Sequence, residues 1–325
     1  MDIQDEFVHS IGDHPAWSES YYFNIADPDK KICMVTRMSF RPNDGYADGL
    51  CVLFFDNNRI LYSFNRRDIK MDDHELNVKH LFYERGEPFK NWRVRYDGPI
   101  IDTKDAAHFL VPKEKRPTGW YKMSLLNLQI DFKTMYDPHY AAQGETGHFE
   151  QICEGSGQFR IGEEIFQING YGVRDKSWGP RDWKPLAINT EEKKQEKEKQ
   201  TPTPFVQWFS MNFGSDLAIG LVSLNTPQGS AIHSTGWYQK EGKTQSIKEI
   251  KIQSLYQSNS LMHESARITG LKEDESPITL AYKTISVCPI EFPMADQTTF
   301  VLEGFAKFSF EDKDGYGIAE YWHSL

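Results

Sequence analysis

Apolar and polar residues alternate with a period of two along most of this chain, and polar turn signals break the alternation at short intervals. No long segment shows the period of about 3.6 residues that an amphipathic helix requires. A segment with alternating character buries one face only if it is extended, so the pattern predicts an all-β protein made of sandwiches or barrels. Three hairpins follow from the turn chemistry. Leu50 to Phe55 and Arg59 to Phe64 flank Asp56-Asn57-Asn58, whose asparagines tolerate left-handed backbone. Gly157 to Ile161 and Glu164 to Ile168 flank Gly162-Glu163, which fits a type II′ turn. Thr299 to Phe310 and Tyr316 to Trp322 are joined by Glu311 to Gly315.

The length of 325 residues favours two domains. Residues 190–204, T-E-E-K-K-Q-E-K-E-K-Q-T-P-T-P, are nearly free of apolar side chains and close on two prolines. Such a segment supplies no core face, which sets the expected organisation as a β-domain over 1–189, a polar linker over 190–204 and a second β-domain over 205–325. Similar sizes leave room for a structural duplication that the letters do not show. An aromatic fraction of 14% favours strands and aromatic-lined pockets.

A net charge of -10 lacks the basic footprint of a nucleic-acid binder. No stretch approaches the run of about 18 apolar residues that a membrane-spanning helix needs. The acidic start M-D-I-Q-D-E-F-V-H-S lacks a signal peptide's charge and apolar core, so a cytoplasmic location is expected. Cys33, Cys51, Cys153 and Cys288 are scattered without C-x-x-C spacing, as expected for reduced, buried thiols. The histidines show no H-x-H, H-x-x-x-H or H-E-x-x-H spacing, and Gly170, Gly172 and Gly179 do not form a dinucleotide-binding loop. Neither a metal nor an organic cofactor is expected.

The block from Gly170 to Trp183, G-Y-G-V-R-D-K-S-W-G-P-R-D-W, concentrates Arg, Asp and Trp beyond what core packing asks for. Read as a strand running out into a loop, it puts Tyr171, Val173 and Asp175 on one face and Gly170, Gly172 and Arg174 on the other. Trp178, Arg181, Asp182 and Trp183 then fall in the loop, a composition suited to the mouth of a mostly apolar pocket. The plain alternative is an ion-pair network with tryptophan lids that joins two domains.

Three blocks carry a resemblance. They are H-P-A-W-S-E-S-Y-Y-F-N-I-A-D-P at His14 to Pro28, the stretch from His148 through Trp183, and L-E-G-F at Leu302 to Phe305 with G-Y-G-I-A-E-Y at Gly315 to Tyr321. Together they make the chain similar to the carotenoid 1,2-hydratase / hydroxyneurosporene synthase-like (AttH-like) superfamily of two-domain lipocalin-like proteins, closest to its bacterial branch. Lys176 departs from the family's G-x-x-x-D-H-x-W-G signature, which has His after the Asp. The resemblance implies two lipocalin-like β-domains, a hydrophobic pocket, and hydration, cyclisation or isomerisation of terpenoid or polyketide substrates without a cofactor. It also marks Asp175 as proton donor, while Lys176 removes the neighbouring imidazole.

The residues themselves offer three carboxylates on apolar strand faces: Glu19 beside Trp17, Tyr21, Phe23 and Ile25, Asp175 beside Tyr171 and Val173, and Glu320 beside Ile318 and Trp322. Burial favours the neutral acid, a form able to protonate an alkene near neutral pH. Tyr22, Trp178, Trp183, Trp208 and Trp237 are candidates to stabilise the resulting cation through their ring faces. Arg174 and Arg181 would orient or ion-pair the acids, and His148 and Glu150 share one face of the preceding strand as further pocket candidates. The expected function is therefore acid-assisted hydration, dehydration, isomerisation or cyclisation of a hydrophobic small molecule. Its rivals are a non-catalytic carrier of an apolar ligand and a carbohydrate-active enzyme with paired carboxylates.

Overall fold

A computed structural model describes residues 2–73, 75–181, 203–226, 229–293 and 298–324. The chain is all-β and divides into two compact units, Met1–Asp105 with Pro117–Asp182, and Ala106–Arg116 with Trp183–Leu325. Most of the expected linker, together with Trp183, lies outside the described residues. Among the described residues no helix is long and apolar enough to cross a membrane.

The first unit contains β1 (Trp17–Asp27), β2 (Ile32–Arg41), β3 (Tyr46–Phe55), β4 (Ile60–Asp68), β5 (Asn77–Val78), β6 (Leu81–Arg85), β7 (Asn91–Thr103), β8 (Lys122–Thr134), β9 (His139–Ala142), β10 (Gly147–Ile161) and β11 (Glu164–Pro180). β1 pairs with both β2 and β11, and the antiparallel path runs β4-β3-β2-β1-β11-β10-β8-β7. Pairing of Ile60 with Thr103, Leu61 with Asp102 and Tyr62 with Ile101 returns β4 to β7. The result is an eight-strand up-and-down ring with β5-β6 and β9 as attachments. The second unit is a closed barrel in sequential order. Its strands are β12 (Val206–Asn212), β13 (Leu217–Asn225), β14 (Ala231–Lys240), β15 (Lys243–Tyr256), β16 (His263–Lys272), β17 (Pro277–Pro293), β18 (Thr298–Phe310) and β19 (Lys313–Ser324). Both units are thus eight-strand meanders, a duplication of architecture without a repeat in the letters. Closure leaves few free strand edges to manage.

The predicted hairpins are present. Asn58 takes φ 63 in the β3-β4 turn, and Gly162 takes φ 57 between Ile161 and its partner Glu164. The C-terminal turn is tighter than expected, because β19 begins at Lys313 and Phe310 pairs with it directly. The four cysteines are buried and no disulfide joins them.

Strands differ in how many faces they bury. β8 alternates, with Leu126, Leu128, Ile130 and Phe132 inward and polar residues outward, whereas every residue of β1 is buried. Inside the first ring Phe23 packs on Phe132, Tyr83 and Trp92 at centroid distances of 5.1, 5.1 and 5.5 Å, and burial of one such side chain contributes about 1.5–3 kcal/mol. On the outward side of β1 to β3 the buried residues include Val35, Leu50, Val52 and Phe54 as well as polar pairs that satisfy one another, Ser18 with Ser39 at 3.0 Å and Arg37 with Asp48 at 3.0 Å.

Gly172 sets how closely β11 lies on β1. A Cβ there would fall 1.8 Å from the carbonyl oxygen of Asn24, a clash with backbone that no rotamer relieves. Gly172→Ala is expected to cost about 1–3 kcal/mol, the range for overpacking a tight site. A urea unfolding midpoint equal to that of the parent chain would contradict this account of the pairing.

Candidate functional site

β11 continues as a strand through Pro180, so the block expected to end in a loop is instead held in register on both sides. The alternation expected for it is present. Arg174, Lys176 and Trp178 point into the first barrel, and Tyr171, Val173 and Asp175 point outward.

The inward set is an ion-pair cluster closed by the N-terminal segment. Arg174, 1% exposed, donates to Glu6 Oε1 and Oε2 at 3.0 and 2.6 Å and to Gln151 Oε1 at 2.7 Å. Its guanidinium also lies over the rings of Phe149, Phe89 and Trp92. Glu6 accepts from Trp92 Nε1 at 2.8 Å as well. Lys176 is ion-paired with Glu19 and donates to the Phe7 carbonyl at 2.9 Å. Burial pulls the Lys176 ammonium below its usual range, and Glu19 offsets this only in part. His9 contacts Glu19 at 3.1 Å and stacks on Trp178 with centroids 3.9 Å apart. Glu19 and Arg174 therefore sit in an interior charge network, and Trp178 covers it from within rather than sharing a face with Asp175. The hollow beside Glu19, lined by Val8, Ile11, Trp17 and Phe40, has a volume of about 20 Å³, room for one water.

The outward set is different. Glu150 stands directly opposite Asp175, and His148 opposite Ser177, on paired strands. His148 Nε2 contacts Asp175 Oδ2 and lies 4.0 Å from Glu150 Oε1. The side chains of His148, Asp175 and Glu150 are 27%, 16% and 8% exposed, so solvent reaches the cluster. Burial disfavours the imidazolium, but Asp175 and then Glu150 outweigh it, and the His148 pKa is raised above its ordinary value. A protonated His148 donating to Asp175 is the arrangement these charges favour. Tyr22 is the cross-strand neighbour of Asp175 on the other side. Arg181 donates to Ser177 Oγ at 2.7 Å.

Two expectations change here. The face of Asp175 is polar as well as apolar, carrying His148, Glu150 and Ser177 beside Val173 and Ile152. Asp175 does not pair with Arg174, which lies across the sheet on Glu6. The departure at Lys176 also takes a different meaning, since residues adjacent in a strand face opposite ways: an imidazole at position 176 would point into the barrel, and the one beside Asp175 comes from β10. His139, opposite Glu150 on β9, was not legible as a neighbour because only strand pairing brings it there.

In the second unit Glu320, Trp208 and Trp237 lie on the outward side. Trp208 is opposite Glu320 on β12, Trp322 Nε1 donates to Glu320 Oε1, and Trp237 covers Gly220. Glu303 is the direct cross-strand partner of Glu320, and both are buried. Sequence reasoning selected one member of this pair and missed the other, though Glu303 lies in L-E-G-F, which was read together with the G-Y-G-I-A-E-Y stretch that holds Glu320.

The interior of the second barrel is polar at one end. Tyr282 Oη donates to Tyr321 Oη at 2.9 Å and lies 3.1 Å from His263 Nδ1, and Tyr321 Oη contacts Ser254 Oγ at 2.7 Å. Burial pushes the His263 and His323 imidazoles down to about 3 and about 4. An unfolded histidine takes up its proton near pH 6.5, at about the model-peptide value, whereas these two resist it. Their contribution to stability is complete above that pH and is lost as pH falls through the native values. The urea midpoint of the second barrel is expected to drop steadily across this acid window and to drop less in His263→Gln. Identical acid profiles for the two proteins would refute the assignment.

A concavity of about 590 Å³ on the first unit is lined by Glu84, Arg93, Asp131, Lys133, Glu154 and neighbours. Exposed ion pairs fill its rim, Arg93 with Asp131 at 2.6 Å and Lys133 with Glu154 at 3.1 Å. None of the Asp175 cluster lines it.

The fold is shared with solved structures. A Nitrosomonas europaea protein described as a putative AttH superposes with a TM-score of 0.58 at 12% identity, covering 98% of this chain and 95% of that one. Kievitone hydratase of Nectria haematococca superposes with a TM-score of 0.54 at 13% identity, covering 94% and 88%. At these identities the likeness shows a shared fold. No curated protein matches the sequence. The profile of one family, described as a domain of unknown function (DUF7064), matches residues 2–324, and the chain belongs to that family.

Proposed function

We propose that this protein is a hydratase-like enzyme that adds water to, or removes it from, an apolar terpenoid or polyketide-like molecule by acid–base chemistry at His148, Asp175 and Glu150. The observation that carries the proposal is the convergence of these three side chains on two paired strands, mostly buried but within reach of solvent through His148 and Asp175, and separate from the interior ion pairs. The kievitone hydratase among the fold neighbours is in keeping with a hydration, although at that identity it speaks for fold alone.

In the proposed reaction the pair holds one proton between His148 Nε2 and Asp175 Oδ2. Delivery of that proton to an alkene carbon leaves a carbocation and an unprotonated pair. Water then adds to the cation and returns a proton to the pair, so that one water is gained and no oxidant or reductant is used. Glu150 keeps a negative charge near the developing cation, which favours the transition state over the neutral alkene. Tyr22 lies on the same face and would border the substrate.

The experiment is native mass spectrometry and organic extraction of the protein purified from its own host, followed by incubation of any bound molecule with protein in isotopically labelled water. Gain or loss of one labelled water supports the proposal. A bound molecule returned unchanged identifies a carrier, and an empty protein that binds sugars instead would remove the apolar-substrate reading altogether.

A further inference from the structure

We infer that His148, Glu150 and Asp175 also form a binding site for a divalent transition cation of the zinc type. Their donor atoms, one imidazole nitrogen and two carboxylate oxygens, lie within 4.8 Å of one another, and among the described residues no other three such side chains converge in this way. Around a tetrahedral Zn²⁺ with bonds of about 2.0–2.2 Å, neighbouring donors stand about 3.4 Å apart. His148 Nε2 is 4.0 Å from Glu150 Oε1, so that pair needs to close only slightly, whereas the direct contact of His148 Nε2 with Asp175 Oδ2 must open to place an ion between them.

The backbone geometry makes this a preset site. Positions 148 and 150 are alternate residues of β10, and Asp175 is the cross-strand partner of Glu150. Strand register rather than loop conformation fixes their spacing. Three protein ligands leave a fourth position open, as in catalytic zinc sites, and the 27% exposure of His148 and 16% exposure of Asp175 give it access to water. A nitrogen and two carboxylate oxygens suit zinc, manganese or ferrous iron better than an all-oxygen set suited to calcium or magnesium. His139, opposite Glu150 on β9, adds a second imidazole on the same face. Arg181, whose charge acts on His148 from nearby, opposes the cation and limits its affinity.

This inference does not require the hydratase proposal, because it concerns cation binding alone. A cation held there would occupy the lone pairs that proton transfer uses, so the two states exclude each other. The test is titration of the chelator-stripped, full-length protein with zinc chloride alone, read by calorimetry, by bound metal after desalting and by unfolding temperature. About one equivalent should bind and raise the unfolding temperature. His148→Ala, Glu150→Gln and Asp175→Asn should each weaken binding by at least about 10-fold, since loss of even a group that only hydrogen-bonds a zinc ligand costs about 10- to 100-fold. The last two keep side-chain shape and guard against loss of fold in the first. Absence of bound zinc in the parent chain, or unchanged affinity in all three variants, overturns the inference. Lack of turnover with zinc binding intact would count against the hydratase proposal only.

Discussion

Replacing Glu6 by alanine is expected to destabilise the first barrel by about 3–5 kcal/mol, the cost of leaving one member of a buried ion pair without its partner. For a unit of this size each kcal/mol lowers the unfolding temperature by roughly 2–4 °C, so the change is large enough for a single thermal melt. The cause is the Arg174 guanidinium, 1% exposed, which would lose both of its carboxylate hydrogen bonds. Trp92 Nε1 would lose its acceptor in the same substitution. The double variant Glu6→Leu with Arg174→Met should recover most of the loss, because removing both charges also removes the cost of burying them. A single variant that melts with the parent chain would show that the N-terminal segment does not hold Arg174 in solution.

Asp175→Asn is expected to lower turnover by about 10²- to 10⁴-fold, the usual share of general acid–base catalysis, without changing the unfolding temperature by a comparable amount. Asparagine keeps the shape and accepts one hydrogen bond from His148, but it neither carries nor returns the proton. His148→Gln should act in the same direction. Lys176→Met provides the contrast, since Lys176 lies on the opposite face with Glu19 and its loss should appear as stability rather than rate. Full turnover by Asp175→Asn with its fold intact would remove Asp175 from the chemistry.

Much of the fold was legible because strand periodicity is local. The turns at Asn58 and Gly162 follow from residues that accept positive φ, and the alternation of β8 follows from the need to bury one side. The alternation of β11 was legible too, to the point that Arg174 and Asp175 take opposite sides, but not which of the two faces the interior. That β11 stays extended through Pro180 was not, since Gly179 and Pro180 disfavour a strand by themselves and are held by pairing with Ser18 and Trp17.

The candidate site was legible in its members and not in its grouping. His148 and Glu150 were placed together on one strand face and Asp175 was selected as a carboxylate among apolar neighbours, but Glu19 was selected on that same ground, and with Arg174 it belongs to an interior network with Glu6, His9 and Lys176. Nothing in the N-terminal letters marks Glu6 as the partner of a residue 168 positions away. Glu303 was passed over although it faces Glu320 directly.

By itself the sequence determined an all-β chain, its hairpin turns, and which residues of a strand share a side, because these depend on φ, ψ preferences and on a period of two. Which strands become neighbours, and hence that the imidazole beside Asp175 comes from β10 while position 176 turns inward, was decided by the closing of the barrel. Pairing between distant strands joins residues that no local preference links, and the charges of Arg174 and Lys176 could be buried only where the returning N-terminal segment met them.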